Sequence, residues 1–408
     1  MRTFEDIINK YLNDELSEED IKAFYLNLNP DERKSFDNVI NTMITRYKNL
    51  QETMKLIMNS VYGYTGYKNS IFFNKYIAES ITQIGAEILQ SVMKILNENN
   101  IYVIYGDTDS MFLQFNLDIE RYKENGRVVL TKERKMEIVE KIHNELSKVK
   151  EIIKDFLERY YEERTHFHTH LDNKNVFDFK TEMIASKMFL LESKKGDVAK
   201  KKYIIDVIEN EGVIFENGKL DFRGIDVRKK DISKEVKELI LRIINFINDY
   251  YDGKIERKED ILDLHNENIE IIKGWIDNFE FKKFAEIKNV SKSLDEYKNN
   301  NLQVQAVKLY NTIFTHYNLP EIQGFMKVYI VYIRPSLVNI IKDEEKLDIR
   351  DLKFLKNVKA VAIPSEIVIP NSILKEVFEK YLIINKDEII KKVYSGRVET
   401  LINTFLKN

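Results

Sequence analysis

The sequence predicts an α+β fold: a partial helical hairpin, then an antiparallel sheet with packed helices, then a mostly helical C-terminal region. Three observations carry this. Apolar residues recur every three or four positions across 36–61, 77–98 and 131–164, the period of a helix with one buried face. Runs at 101–115, 176–191, 203–208 and 213–222 are rich in β-branched and aromatic residues and have the length of strands. From residue 232 the helical spacing returns, interrupted by strand-like runs at 326–333 and 358–363.

The size and composition narrow the class. A chain of 408 residues is long enough for two or three domains. With 43% hydrophobic and 32% charged residues it reads as globular, not disordered. No apolar run approaches the length that spans a membrane, and Met1-Arg2-Thr3-Phe4-Glu5-Asp6 lacks a signal-peptide core. The absence of cysteine rules out disulfides and thiolate metal sites and is compatible with a reducing cytoplasm. A net charge of −3 does not mark a nucleic-acid binder, so the placement of the 64 Lys and Arg residues has to decide that question.

In chain order, Ser17-Glu18-Glu19-Asp20 reads as a helix cap followed by acids in the first turn. Asn29-Pro30-Asp31-Glu32 reads as a second start, with Pro at the first helical position. The long helix that follows runs to about Gly63 and carries Lys55, Asn59 and Tyr62 at spacings of four and three, on one face. A cation, an amide and an aromatic ring in one row suit a nucleotide, and a solvated Lys beside two helix-end residues is the alternative reading of the same row. The helix at 77–98 then leads into Tyr105-Gly106-Asp107-Thr108-Asp109-Ser110, set between two apolar strands. That pattern predicts a buried β-hairpin, with Gly106 and the two aspartates forming the turn. Two carboxylates two residues apart on one side repel each other unless a cation sits between them. Mg²⁺ takes one or two carboxylates together with phosphate and water oxygens.

Beyond the 131–164 helix, His166, His168 and His170 alternate without flanking Cys or paired acid, and read as a loop or edge strand rather than a metal site. Within the next strand Glu182 is either an accessory carboxylate or a surface residue. Lys194, Lys195, Lys200, Lys201 and Lys202, closed by Tyr203, form the densest basic stretch of the chain, suited to phosphate contacts. The apolar end, Leu401 to Leu406, is either a docking peptide or a packed last turn.

Three of these segments resemble the family B DNA polymerases. Tyr105 to Ser110 fits motif C at every position, and Lys55 to Gly63 is similar to motif B at full length. Lys200-Lys201-Lys202-Tyr203 resembles the Lys-Lys-Arg-Tyr element that holds the primer-template, with Lys202 for Arg, which keeps the charge and loses the planar fork. Gly224 to Asp231, including Arg228, resembles the stretch that closes the palm.

The resemblance implies partial fingers over 1–63, palm over 64–231 and thumb over 232–408. It implies two Mg²⁺ ions held by Asp109 and Asp107, with Glu182 as the accessory ligand. It places Lys55 and Asn59 on the incoming triphosphate, Tyr62 at the nascent base pair, and Tyr105, Thr108, Arg228 and the lysines with Tyr203 on DNA. The motif A acid and the first fingers helix have no counterpart in the sequence. The resemblance therefore implies the small subunit of a split phage or viral polymerase. Its partners would be primer-template DNA, dNTPs, a second chain bearing motif A and the exonuclease domain, and possibly a sliding clamp, with no membrane, in the host cytoplasm. A non-catalytic duplex-binding remnant is the alternative. A reverse transcriptase-like enzyme also uses an Asp-bearing hairpin, but the Lys55–Gly63 helix speaks against it.

Overall fold

The computed structural model describes residues 2–13, 15–115, 119–124, 127–164, 179–192, 198–297, 301–335 and 358–407. The chain divides into two compact units, one formed by residues 1–99 and 103–112, the other by 100–102 and 113–408. The fold is α+β with antiparallel sheets, as the patterning predicts.

The first unit opens with three helices: α1 (Arg2–Leu12), α2 (Glu18–Asn27) and α3 (Pro30–Gly66). Both expected caps form. Ser17 and Asp20 make a reciprocal capping box, as do Asn29 and Glu32, and Pro30 occupies the first turn, where its missing N–H costs nothing. Phe36 holds the three helices together, with the rings of Phe4, Phe24 and Tyr25 at 5.4, 5.7 and 5.9 Å. Beyond Val39 no residue of α3 is buried, although its apolar spacing continues through Val61. A loop leads to α4 (Lys75–Glu98), whose buried residues Ile88, Leu89, Val92 and Leu96 all lie in its C-terminal half. A two-stranded hairpin follows, β1 (Tyr102–Asp107) with β2 (Ser110–Gln114).

In the second unit a short antiparallel pair, β3 (Lys123–Glu124) and β4 (Arg127–Val128), precedes the 33-residue helix α5 (Lys132–Arg164). Helix α5 lies on a three-stranded antiparallel sheet, β5 (Met183–Glu192), β6 (Val198–Asn210) and β7 (Val213–Arg223), with Ile138, Val139, Ile142 and Leu146 against Ile184 and Ile208. Strand β5 is shorter than the predicted 176–191 run. Residues 179–182 precede it, and 176–178 lie outside the described residues.

The remainder builds a larger core. Helices α6 (Lys234–Tyr251), α7 (Asp260–Asp277), α8 (Phe281–Phe284) and α9 (Leu302–Phe314) surround a four-stranded antiparallel sheet. Its strands are β8 (Glu286–Ser293), β9 (Gly324–Pro335), β10 (Ala360–Pro364) and β11 (Leu382–Ile384). The runs at 326–333 and 358–363 thus become β9 and β10. Strand β8 falls where the helical spacing gave no strand, because only Glu286 and Val290 of its eight residues are buried and, apart from Ile287, the rest are polar.

The last helix, Gly396–Lys407, buries Leu401, Ile402 and Phe405, and the Phe405 ring packs on Phe246, Tyr250 and Tyr251. This is the packed-turn alternative for the C-terminal residues.

Candidate functional site

The hairpin that carries the two aspartates differs from the expected one in two respects. It is half exposed, not buried: Tyr102 and Ile104 face outward on a sheet that has two strands among the described residues, while Val103 and Tyr105 are partly covered. The rings of Tyr105 and Phe112 lie 6.1 Å apart across the pair. The turn itself is made by Thr108 and Asp109, and the left-handed backbone falls on Thr108, at φ +58. Gly106 stays in β1. An added Cβ there would stand 2.9 Å from the sulfur of the flexible Met93 side chain on α4, which would have to shift. A β-branched residue at positive φ is strained by about 1–2 kcal/mol, and such strain concentrates where a turn must hold particular side chains.

Local hydrogen bonds hold the tip in place. The Asp109 amide donates to the Asp107 carbonyl at 2.7 Å, and the Ser110 hydroxyl donates to the same carbonyl at 3.2 Å. The Thr108 hydroxyl donates to the Asp107 carboxylate at 3.1 Å. Asp107 is partly covered and Asp109 is exposed. Among the described residues the Asp109 carboxylate pairs with no cation, and no cluster of three or more His, Asp or Glu is arranged to hold a metal ion. The donor set nonetheless suits Mg²⁺, which needs no closed protein cage and completes its shell with phosphate and water oxygens.

The same unit carries the row Lys55, Asn59 and Tyr62, all exposed on the C-terminal turns of α3. The cation–amide–aromatic row and the carboxylate tip therefore belong to one compact body.

The second unit holds the basic elements. Between the pairs Glu192↔Val198 and Leu190↔Tyr203, β6 advances five residues while β5 advances two. Residues 199–202 therefore bulge from the ladder, and Lys201 takes φ +60. A bulge re-aims side chains that a regular strand would hold flat, and Lys201 and Lys202 are exposed. Lys200 lies in β6, and Lys194 and Lys195, like the three histidines, lie outside the described residues. Tyr203 pairs with Arg223 of β7.

Arg228 is less available than expected. Its guanidinium pairs with Asp221 and stacks 5.6 Å over the Phe222 ring. Glu182 is exposed in the segment before β5, and its carbonyl accepts from the Glu211 amide.

Residues 31–149 match the family model for DNA polymerase family B. The match spans both the Lys55 row and the Asp107–Asp109 tip. The chain is 48% identical over 69 residues to the DNA polymerase alpha catalytic subunit of Oryza sativa subsp. japonica, covering 17% of this chain and 4% of that protein. It is 29% identical over 231 residues to the DNA polymerase alpha catalytic subunit of Arabidopsis thaliana, covering 54% of this chain and 11% of that one. It is 39% identical over 70 residues to the DNA polymerase of Trichoplusia ni ascovirus 2c, covering 17% and 7%. The chain thus corresponds to a small part of each of these relatives.

Two polar clusters of the second unit escape sequence reasoning. Arg397, on the last helix, binds Asp226 at 3.0 Å, Asp231 at 3.2 Å and Glu286 at 3.3 Å, and Glu286 in turn accepts from the Tyr332 hydroxyl at 2.7 Å. Lys135 and Asp206, both 2% exposed, pair at 2.8 Å; Ser186 donates to the same carboxylate at 2.6 Å, and Lys187 pairs with Asp252 beside them. Partners 166 residues apart, as Arg397 and Asp231 are, leave no local signal. Among the described residues no helix is long and apolar enough to cross a membrane.

Proposed function

We propose that this chain is a subunit or fragment of a DNA-directed DNA polymerase that adds dNTPs to a primer 3′-hydroxyl by a two-metal mechanism. The observation that carries the reading is that one family B match, over 31–149, takes in both the Lys55–Gly63 helix segment and the aspartate hairpin. The division into fingers over 1–63, palm over 64–231 and thumb over 232–408 is part of the same reading.

In this reading Asp109 and Asp107 hold the cations. Bound Mg²⁺ supplies charge neutralisation at the α-phosphate and lowers the pKa of the attacking hydroxyl. Lys55 and Asn59 hold the triphosphate, so that the reacting phosphorus is fixed before the chemistry, and Tyr62 lies against the nascent pair. Tyr105 and Thr108 border the primer end. Lys194, Lys195, Lys200, Lys201, Lys202, Tyr203 and Arg228 contact the DNA backbone, which makes binding salt-dependent. Glu182 is the accessory carboxylate.

The sequence offers no motif A acid, and a two-metal site needs carboxylates on both sides of the ions. The opposing acid comes from a second chain, which also carries the exonuclease domain, in a phage- or virus-encoded split polymerase acting in the host cytoplasm. Docking of residues 401–406 on a sliding clamp would first require Phe405 to leave the core.

Titration of Mg²⁺ into the complex of this chain with primer-template DNA, with and without the complementary dNTP, tests the reading. A nucleotide-dependent gain in DNA affinity that Lys55→Ala removes is expected. Unchanged affinity with nucleotide would instead fit a duplex-binding remnant.

A further inference from the structure

We infer that the closed loop between α3 and α4, residues 67–74 with the helix ends that flank it, is a stacking platform for an unpaired nucleic-acid strand. That this strand is the template ahead of the nascent pair rests on the polymerase reading above. That the platform takes single-stranded nucleic acid does not.

The residue types come first. Six of the fifteen positions from 62 to 76 are aromatic, against 11% over the whole chain. They are Tyr62, Tyr64, Tyr67, Phe72, Phe73 and Tyr76, and every one is exposed. Tyr76 and Phe72 are the extremes, at 80% and 66%. Large rings are unfavourable in water, so a group of them on one short segment marks a contact surface.

The segment is held by its own hydrogen bonds. The Asn74 amide donates to the Thr65 carbonyl at 2.9 Å, which ties the end of α3 to the start of α4. Inside the loop the Ser70 amide donates to the Tyr67 carbonyl at 2.9 Å, and the Phe73 amide to the Ser70 carbonyl at 3.1 Å. The Asn69 side chain donates to the Tyr67 hydroxyl at 3.1 Å, and the Asn74 side chain caps α4 by accepting from the Ile77 amide at 3.2 Å. All six rings therefore issue from one end of the helix pair, on a backbone ordered before a ligand arrives.

Charge and ring chemistry together choose the occupant. No Asp or Glu lies between Glu52 and Glu79, whereas Lys55, Lys68 and Lys75 do, in a chain whose net charge is −3. Lys75 is paired with Glu79 at 3.3 Å, and Lys68 is exposed inside the loop with Asn69 beside it. An acid-free aromatic surface with a cation and an amide suits a single strand, whose bases offer their faces to rings and whose phosphates meet lysine. In a duplex those faces are stacked on one another and closed to the protein. In the polymerase reading Tyr62 lies at the nascent pair, and the loop follows it directly in the chain, so the strand met there is template not yet copied. Ile71, 92% exposed at the tip, is aliphatic and serves as a control.

The test uses the full chain and fluorescence anisotropy with two probes, a short labelled oligo-dT strand and a blunt duplex, without Mg²⁺ or dNTP. Phe72→Ala with Tyr76→Ala should weaken the single strand roughly tenfold or more, the loss expected of one or two stacked bases. The slope of log K against log salt should stay as it is, because no cation is lost. Thermal melting checks folding, and the melting temperature should hold, since both rings are exposed. Phe72→Tyr with Tyr76→Phe keeps both rings and should retain the affinity, and Ile71→Ala should change it by less than about twofold. No single-strand binding by the wild type, or undiminished binding by the double Ala variant, overturns the inference and leaves the polymerase reading in place. An equal loss in Ile71→Ala, or a loss shared equally by the duplex, also overturns it, since the surface would not then be reading unpaired bases by stacking. A concentration-dependent dimer of the chain alone, lost in the double Ala variant, overturns it in favour of a second copy. Single-strand affinity lost in that variant, with no nucleotide-dependent gain in the Mg²⁺ titration, supports the platform and removes the polymerase reading.

Discussion

Gly224 closes against the main chain of Lys201. With Gly224 at φ +64, any Cβ placed there would collide with the Lys201 carbonyl oxygen. The contact joins the turn after β7 to the bulge of β6, so the two basic segments hold each other in place. Gly224→Ala is expected to destabilise the fold by about 2–3 kcal/mol, combining left-handed strain with displacement of the bulge. Urea denaturation measures this. A loss below the few tenths typical of surface changes would mean that the two segments are independent.

Lys201 and Lys202 should each act on DNA as a phosphate contact. Replacing both by Ala is expected to lower the slope of log K against log salt by roughly 0.9 per lysine, weakening every sequence about equally. Fluorescence anisotropy with one duplex at several salt concentrations measures the slope. An unchanged slope would remove the bulge from the DNA path.

The strain at Thr108 makes a prediction of opposite sign. Thr108→Asn keeps a polar side chain and tolerates the left-handed backbone better, so the chain should become more stable by up to about 1 kcal/mol. Differential scanning calorimetry reads this, and a clear loss of stability would show that the threonine methyl and hydroxyl outweigh the strain.

Acid should loosen the tie between the last helix and the Gly224–Asp231 turn. Burial alone would raise the Asp231 carboxyl, but the hydrogen bonds and charge of Arg397, aided by Lys288 and Lys229, hold it below its ordinary value. A carboxylate depressed in the folded state adds stability above its unfolded pKa, about 3.9, and loses it as pH falls through the folded value. The melting-temperature gap between the wild type and Asp231→Asn should therefore be constant above about pH 5 and close below about pH 4. A gap independent of pH would contradict this.

What the sequence reveals follows the range of each interaction. The caps at Ser17 and Asn29, the long stripe of α5 and the strands β6 and β7 are local patterns and stand where they were expected. The aspartate tip was legible as a hairpin, but the strained position was not, because Gly106 looks like the turn residue while the left-handed backbone falls on Thr108. Exposure was not legible either. The apolar spacing of α3 and α4 continues past the point where the packing ends, and a periodic pattern does not say who covers it. Arg397 with Asp231 and Lys135 with Asp206 join distant segments through tertiary structure alone.

The central claim is that Asp107 and Asp109 form one side of a cation site whose other side comes from another polypeptide. Primer extension with Mg²⁺ and dNTPs, run with the purified chain alone and again with the chain bearing the missing acid, addresses it most directly. No extension alone, extension with both chains, and its loss in Asp109→Ala is the predicted result. Extension by the purified chain alone that Asp109→Ala abolishes would contradict it.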